Sequence, residues 1–349
     1  MGAGDAGDSS ISVRGLWKVY GPKPQRIVGS ELADLPRREL EARTGNVVAM
    51  RDIELDVAPG EVFVVMGLSG SGKSTLVRTL TRLIEPTAGT VRIGDIDVTA
   101  AGEAELLELR RHRVSMVFQH FGLLPHRSLA DNVAFGLEVR GVDKKVRREK
   151  AETLLELVGL PGLASARPDQ LSGGMQQRVG LARALATEPD VLLFDEPFSA
   201  LDPLIRRDMQ DEVVRLRHEV QRTMVFITHD LAEALRRGDR IAIMRDGRFV
   251  QVGTPEEVVS APADEYVRNF VRDVPHSHVV TVETIMSAVD GETATRTVPL
   301  GTKVRDVVRH LVDSDRPVAV VDADGHVVGC VDRVAALNVL ATEGTDRAL

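Results

Sequence analysis

The sequence predicts an α/β protein, a large domain whose mostly parallel sheet is flanked by helices, followed by a small C-terminal α+β module. Three observations carry this. Residues 62–66, 191–194 and 224–227 are continuously apolar, the pattern of strands buried on both faces, in segments read as strands over 62–66, 191–195 and 224–228. Segments with helical spacing lie between them, and strands alternating with helices imply a parallel sheet covered on both sides. The apolar segment 62–66 runs directly into Gly67-Leu68-Ser69-Gly70-Ser71-Gly72-Lys73-Ser74, a G-x-x-x-x-G-K-S loop, with a helical pattern after it.

Taken in order, residues 1–10 are rich in Gly, Ser and Asp and read as a disordered tail. They lack the basic and apolar regions of a secretory signal. Residues 11–20 alternate as a first strand ending in an aromatic. Residues 22–46 carry Pro22, Pro24 and Pro36 around a charged stretch and read as an insertion with one short helix. After the loop, Leu76, Val77, Leu80, Leu83 and Ile84 mark a helix over 74–84. A helical subdomain spans about 129–185, and its run 144–150 reads as a solvated basic helix face. Asp246-Gly247 sits at the turn of a hairpin over 240–252. The composition then changes, so the main domain is expected over 11–273 and a second over 274–349. In that second part a helix (304–313), a strand, an Asp-Gly turn, a strand and a helix (334–341) follow one another.

Composition narrows the class. Hydrophobic content of 43% and charge of 28% suit a water-soluble globular chain. No apolar run approaches the ~18 residues of a membrane helix. One cysteine, Cys330, precludes an internal disulfide and suits a reducing cytoplasm. The net charge of −8 argues against nucleic acid as a partner.

The loop carries the chemistry. Backbone N–H groups wrap phosphates only where no side chain holds the backbone away, so Gly67, Gly70 and Gly72 are the candidates for close approach, with Ser69 and Thr75 beside them. The helix that follows turns its N-terminal N–H groups and positive end toward a phosphate. Lys73 neutralises the β/γ oxygens of ATP and Ser74 offers a hydroxyl to Mg2+. Asp195 ends a buried strand and projects at the sheet's carboxyl edge, where it can hold the magnesium through water. Glu196, one residue further, is placed to polarise an attacking water.

With Leu171-Ser172-Gly173-Gly174-Met175-Gln176-Gln177-Arg178 between the loop and the acidic strand, the chain resembles the nucleotide-binding subunits of ABC transporters over about 11–272. Ser172, Gly173 and Gly174 start a helix whose free N–H groups make a second anion site. The resemblance implies that this site faces the γ-phosphate bound by the opposite subunit, so that ATP is sandwiched in a homodimer. It further implies that Gln119 reaches Mg2+ and the attacking water and adjoins the membrane partner. Asp202, in Ser199-Ala200-Leu201-Asp202, would contact the opposite subunit, and His229 would hold the γ-phosphate and position water. Tyr20 matches the aromatic that stacks on adenine, with Trp17 near enough to be an alternative.

Within that superfamily the chain is most similar to ATPases of glycine betaine/proline (osmoprotectant, quaternary amine) importers. Gly67-Leu68-Ser69-Gly70, the insertion 22–46, and the stretches 198–206 and 210–212 carry this likeness. It implies an ATPase on the cytoplasmic face of the membrane, driving permease subunits, with an extracytoplasmic solute-binding protein or domain as an indirect partner. The alternatives are the same role for an amino acid or polyamine and, more remotely, a soluble non-transport ABC ATPase. The tail 274–349 resembles a CBS-type regulatory module with one repeat, the bland alternative being a packing extension.

Overall fold

A computed structural model describes residues 10–118, 122–198, 206, 222–231, 234–235, 238–272, 274–288, 296–312 and 316–345. The expected tail at 1–10, Gln119, the segment with Asp202, and residues 210–212 lie wholly or almost wholly outside them. The chain divides into two compact units, residues 1–250 and 251–349, so the division falls before the 273/274 boundary expected from composition.

In the first unit, β1 (Ile11–Tyr20) pairs antiparallel with β2 (Val47–Val57), the insertion bridging them. That insertion holds two single 3-10 turns and α1 (Arg37–Thr44), where one short helix was expected. The buried strand β3 (Val62–Met66) leads into the glycine-rich loop and α2 (Lys73–Leu80). The helix stops four residues before the apolar spacing does. Arg82 takes a left-handed φ of 53°, and the Leu83 N–H donates back to the Arg78 carbonyl at 2.8 Å, closing the last turn and leaving Leu83 exposed.

Strands β4 (Ala88–Ile93) and β5 (Ile96–Asp97) complete a four-stranded sheet of order β2-β1-β4-β5. Then come α3 (Glu103–His112), β6 (Val114–Val117), and a helical region of α4 (Leu129–Val133), α5 (Phe135–Val139) and α6 (Lys144–Leu157). The basic start of α6 is mostly exposed. The long helix α7 (Gly173–Ala186) precedes β7 (Val191–Asp195), β8 (Thr223–Thr228) and β9 (Arg240–Arg245). The hairpin turn at Asp246-Gly247, both with positive φ, returns the chain as β10 (Arg248–Gly253).

The second sheet has the order β10-β9-β3-β8-β7-β6 and is parallel from β9 to β6. Its central strands β3, β8 and β7 are buried along their whole length because both faces are covered. Phe194 and Phe226, paired in register, stack with ring centroids 4.0 Å apart. Side chains from both sheets, including Leu16, Ile53, Phe63, Leu193 and Ile227, share one core with Leu76 of α2. Because β3, β8 and β7 are neighbours and parallel, their carboxyl ends fall on one edge, where ligands bind in open α/β sheets.

The second unit contains α8 (Pro255–Ser260), α9 (Glu265–Val271), α10 (Val282–Ile285), β11 (Thr297–Pro299), α11 (Val304–Val312), β12 (Val318–Val321), β13 (Val327–Val331) and α12 (Arg333–Thr345). Its sheet runs β11-β12-β13, with β11 parallel to β12 and the β12–β13 hairpin antiparallel. Strand β11 and α10 were not foreseen.

Candidate active site

A cavity of about 390 Å³ opens at the carboxyl edge of the parallel sheet. Ser69, Gly70, Gly72, Lys73, Ser74 and Thr75 line one side of it; Tyr20, Ala49 and Glu196 line others. The loop is folded against its own scaffold. A Cβ on Gly67 would stand 2.3 Å from the Met244 carbonyl oxygen and one on Gly72 2.2 Å from that of Ala49, while φ is +153°, +80° and +109° at Gly67, Gly70 and Gly72. Glycine at 67 and 72 therefore serves close backbone packing as well as phosphate approach.

Lys73 is the charged centre. Its side chain is only 4% exposed, and its Nζ donates to the Gly67 carbonyl at 2.7 Å and the Leu68 carbonyl at 3.1 Å. Glu196 Oε1 lies 3.9 Å away. Burial holds the amine below its ordinary value of 10.5, against the opposing pull of Glu196 and Asp195. An ammonium tied to carbonyls in a low-dielectric cleft gains most when phosphate oxygens arrive.

Asp195, at the end of β7, is fully buried. Its Oδ1 accepts from the Ser74 hydroxyl at 2.7 Å, and its Oδ2 accepts from Arg78 Nε and an Arg78 terminal nitrogen at 3.2 and 3.0 Å. A serine hydroxyl and a carboxylate held together form an oxygen-only donor set, the chemistry of a hard divalent cation, so Mg2+ fits these residues. Arg78 was not anticipated; its place one turn after Ser74 on α2 is the signal that could have found it.

Glu196 takes a left-handed φ of 46°, uncommon for a residue with a side chain, and its N–H donates to the Ile227 carbonyl at 3.1 Å. The strained turn carries its carboxylate from the strand end into the cavity wall. His229, just past β8 and 54% exposed, places Nδ1 3.3 Å from Glu196 Oε2. One carboxylate thus stands between Lys73 and His229 at the mouth of the loop.

The remaining candidates separate. Tyr20 lines the cavity with its ring exposed and Lys18 Nζ 4.8 Å from its centroid. Trp17 is instead buried in a small core with Ile27, Ala33 and Leu40 of the insertion. Ser172, Gly173 and Gly174 do not line the cavity: Ser172 caps α7, accepting from the Met175 N–H at 3.4 Å. A Cβ on Gly173 would meet nothing within 4 Å of its own chain. Gln119 and Asp202 fall outside the described residues.

Comparison with known proteins agrees with the motifs. The family model described as "ABC transporter" matches residues 50–199. The chain is 47% identical over 342 residues to the glycine betaine/proline betaine transport system ATP-binding protein of Escherichia coli (strain K12), covering 97% of this chain and 85% of that one. It is 48% identical over 337 residues to the trimethylamine N-oxide transport system ATP-binding protein of Ruegeria pomeroyi, covering 96% and 98%. Among solved structures it resembles a dimeric ATP-binding cassette in a post-hydrolysis state bound to ADP and Pi. That match is 31% identical with a TM-score of 0.60, covering 70% of this chain and 98% of the other.

Proposed function

From the premise that this chain belongs to the ABC transporter family as an ATP-hydrolysing, ATP-binding protein of an importer, we propose that it powers uptake of small osmoprotectants of the glycine betaine/proline betaine class. The observation that carries the reading is the convergence of Lys73, the Ser74–Asp195 pair and the Lys73–Glu196–His229 row on one cavity, in a chain similar along nearly its whole length to betaine-importer ATPases. A second reading keeps the machinery and changes the cargo to trimethylamine N-oxide, favoured by the relative that this chain matches over 98% of its length. Both solutes are small methylated amines, and the ATPase touches neither.

In this reading adenine stacks on Tyr20 and the phosphates enter the loop. Lys73 exchanges its two carbonyl partners for β/γ oxygens, and the N–H groups of residues 69–75 complete the cradle. Mg2+ would be held by Ser74 and, partly through water, by Asp195 and Gln119, where it neutralises phosphate charge. Glu196 accepts a hydrogen bond from the attacking water, whose oxygen bonds to the γ-phosphorus as the bridging P–O bond breaks. His229, already beside Glu196, holds the γ-phosphate and fixes the water. The leaving group is ADP, and the water's proton passes through Glu196 to solvent.

The catalytic centre is composite. Ser172, Gly173 and Gly174 stand away from their own chain's cavity, and the open space in front of Gly173 suits the triphosphate of a second copy. Two chains close over two ATP, with Asp202 at the seam, and reopen after hydrolysis. The pair works at the cytoplasmic face against permease subunits, fed by an extracytoplasmic solute-binding protein or domain. Among the described residues no helix is long and apolar enough to cross a membrane. The ATPase domain occupies the first unit, and residues 274–349 of the second form a CBS-like regulatory module of one repeat.

The test is reconstitution with permease subunits of a betaine-class importer, following labelled glycine betaine and labelled trimethylamine N-oxide into vesicles charged with ATP. Uptake of one, lost on Glu196→Gln, is expected. ATP consumption with uptake of neither, but of an amino acid or polyamine, would overturn the substrate reading.

A further inference from the structure

Residues 22–46 are a built element with its own core, and nothing described so far uses it. Its neck is tight: Gly21 has φ +124°, and a Cβ there would stand 2.5 Å from the Gly45 carbonyl oxygen and 2.6 Å from Asn46 Oδ1. The insertion therefore leaves and re-enters the sheet at one point, where Tyr20 pairs with Val47. Inside it, Ile27, Ala33 and Leu40 bury against Trp17, Val19 and Val48. Asp34 ties it to the sheet, accepting from Arg248 at 2.5 Å with Arg51 3.9 Å away. Helix α1 ends on Gly45, whose N–H donates to the Glu41 carbonyl at 2.8 Å. Leu40 is fully buried, so α1 is anchored through its inner face.

This anchoring places one charge where the loop's own residues leave room. Arg37, the first residue of α1, lines the same cavity as Lys73, Ser74 and Tyr20. One of its terminal guanidinium nitrogens stands 3.6 Å from where a Cβ on Gly70 would be. Its side chain has no hydrogen-bond or ion-pair partner among the described residues. Besides Lys73, whose ammonium donates to two loop carbonyls, it is the one cation lining the cavity among the described residues. A guanidinium without a partner beside a phosphate loop, on a helix held by a separate small core, is free to receive an arriving anion.

We propose that Arg37 is a second phosphate-binding cation of the nucleotide site, delivered by the insertion, and that it grips the phosphate chain beside Gly70. This rests on the reading of the cavity as the ATP site. The insertion is then part of the nucleotide pocket, setting affinity through a charge that the loop motif does not contain. The site is open to solvent, so one charge-assisted contact there corresponds to about tenfold in affinity.

The experiment is equilibrium titration of the full chain, at low concentration, with ATP and with ADP while divalent metal is withheld, so that no turnover intervenes. Arg37→Ala should weaken binding of ATP about tenfold, Arg37→Lys by two- to threefold, and Arg37→Glu by more than Arg37→Ala. The loss should shrink as salt rises, because the contact is exposed. The nucleotide-free melting temperature should not move. Affinities within twofold of the unsubstituted chain for both Arg37→Ala and Arg37→Glu would overturn the inference. Unchanged affinity with loss only of ATP-dependent pairing would overturn it too, moving Arg37 to the interface between copies. Lys73→Ala in parallel separates the two claims: if it still binds ATP as the unsubstituted chain does, the site reading itself has failed.

Discussion

Gly173→Asp separates what a residue does for its own chain from what it does for a second one. Gly173 is exposed at the start of α7, is not in the left-handed region, and has open space where its Cβ would be. Nothing in its own chain resists the substitution. An acidic residue in the first turn of a helix gains about 0.3–1 kcal/mol from the helix dipole. For a domain of this size that is an upward shift of roughly 1–4 °C in melting temperature. In the composite site proposed above, the same carboxylate would face the γ-phosphate of the opposite copy and displace its donors. Losing one such donor costs about 10²–10³ in turnover, and added repulsion deepens the loss. The assay pairs phosphate release at saturating ATP with thermal melting and single-chain ATP titration. Turnover within threefold of the unsubstituted protein would refute the composite site. A melting temperature lowered by more than about 5 °C would show that Gly173 serves its own fold.

The other expectations follow from the same cavity. Lys73→Met should abolish ATP binding yet, by removing a buried ammonium, gain stability relative to the unsubstituted chain. Burial lowers the folded-state pKa of Lys73, so its cost is fully present below that value and is relieved as pH rises toward 10.5; the Met variant's advantage in melting temperature should therefore shrink over that alkaline range. Ser74→Ala removes the 2.7 Å bond to Asp195, costing about 1 kcal/mol in stability, and should abolish the gain in ATP affinity on adding Mg2+; an unchanged Mg2+ dependence would remove Ser74 from the metal site. Deleting residues 276–349 should change the salt dependence of transport while sparing ATP hydrolysis; an unchanged salt profile would leave that module as packing.

How far the sequence reaches differs between neighbouring residues. The phosphate loop, the acidic strand and their shared edge were legible because continuous apolar runs and a glycine spacing report directly on buried parallel strands and on backbone approach. Glu196 was legible as a carboxylate at a strand end, but its left-handed φ was not, since nothing local distinguishes it from an ordinary turn residue. Arg37 was invisible for a stronger reason: an arginine on a short charged helix reads as solvated. Only the closure of the insertion at Gly21 and Asn46, a tertiary event, brings it to Gly70. Leu83 and Ile84 misled in the opposite direction, since their spacing continues a helix that the left-handed Arg82 ends. The three-residue strand β11 is too short to show a period. Trp17 and Tyr20 look interchangeable in sequence, and separate only because the insertion's core claims the former.

The central claim is that one chain holds only half of each catalytic centre. Light scattering on Glu196→Gln, with and without ATP, tests it most directly, because that variant should bind ATP and fail to turn it over. The account predicts that ATP takes each chain of 38.0 kDa into a particle of twice that mass, and that Gly173→Asp in the same background prevents it. ATP bound at one per chain with the mass unchanged at that of a single chain would contradict it.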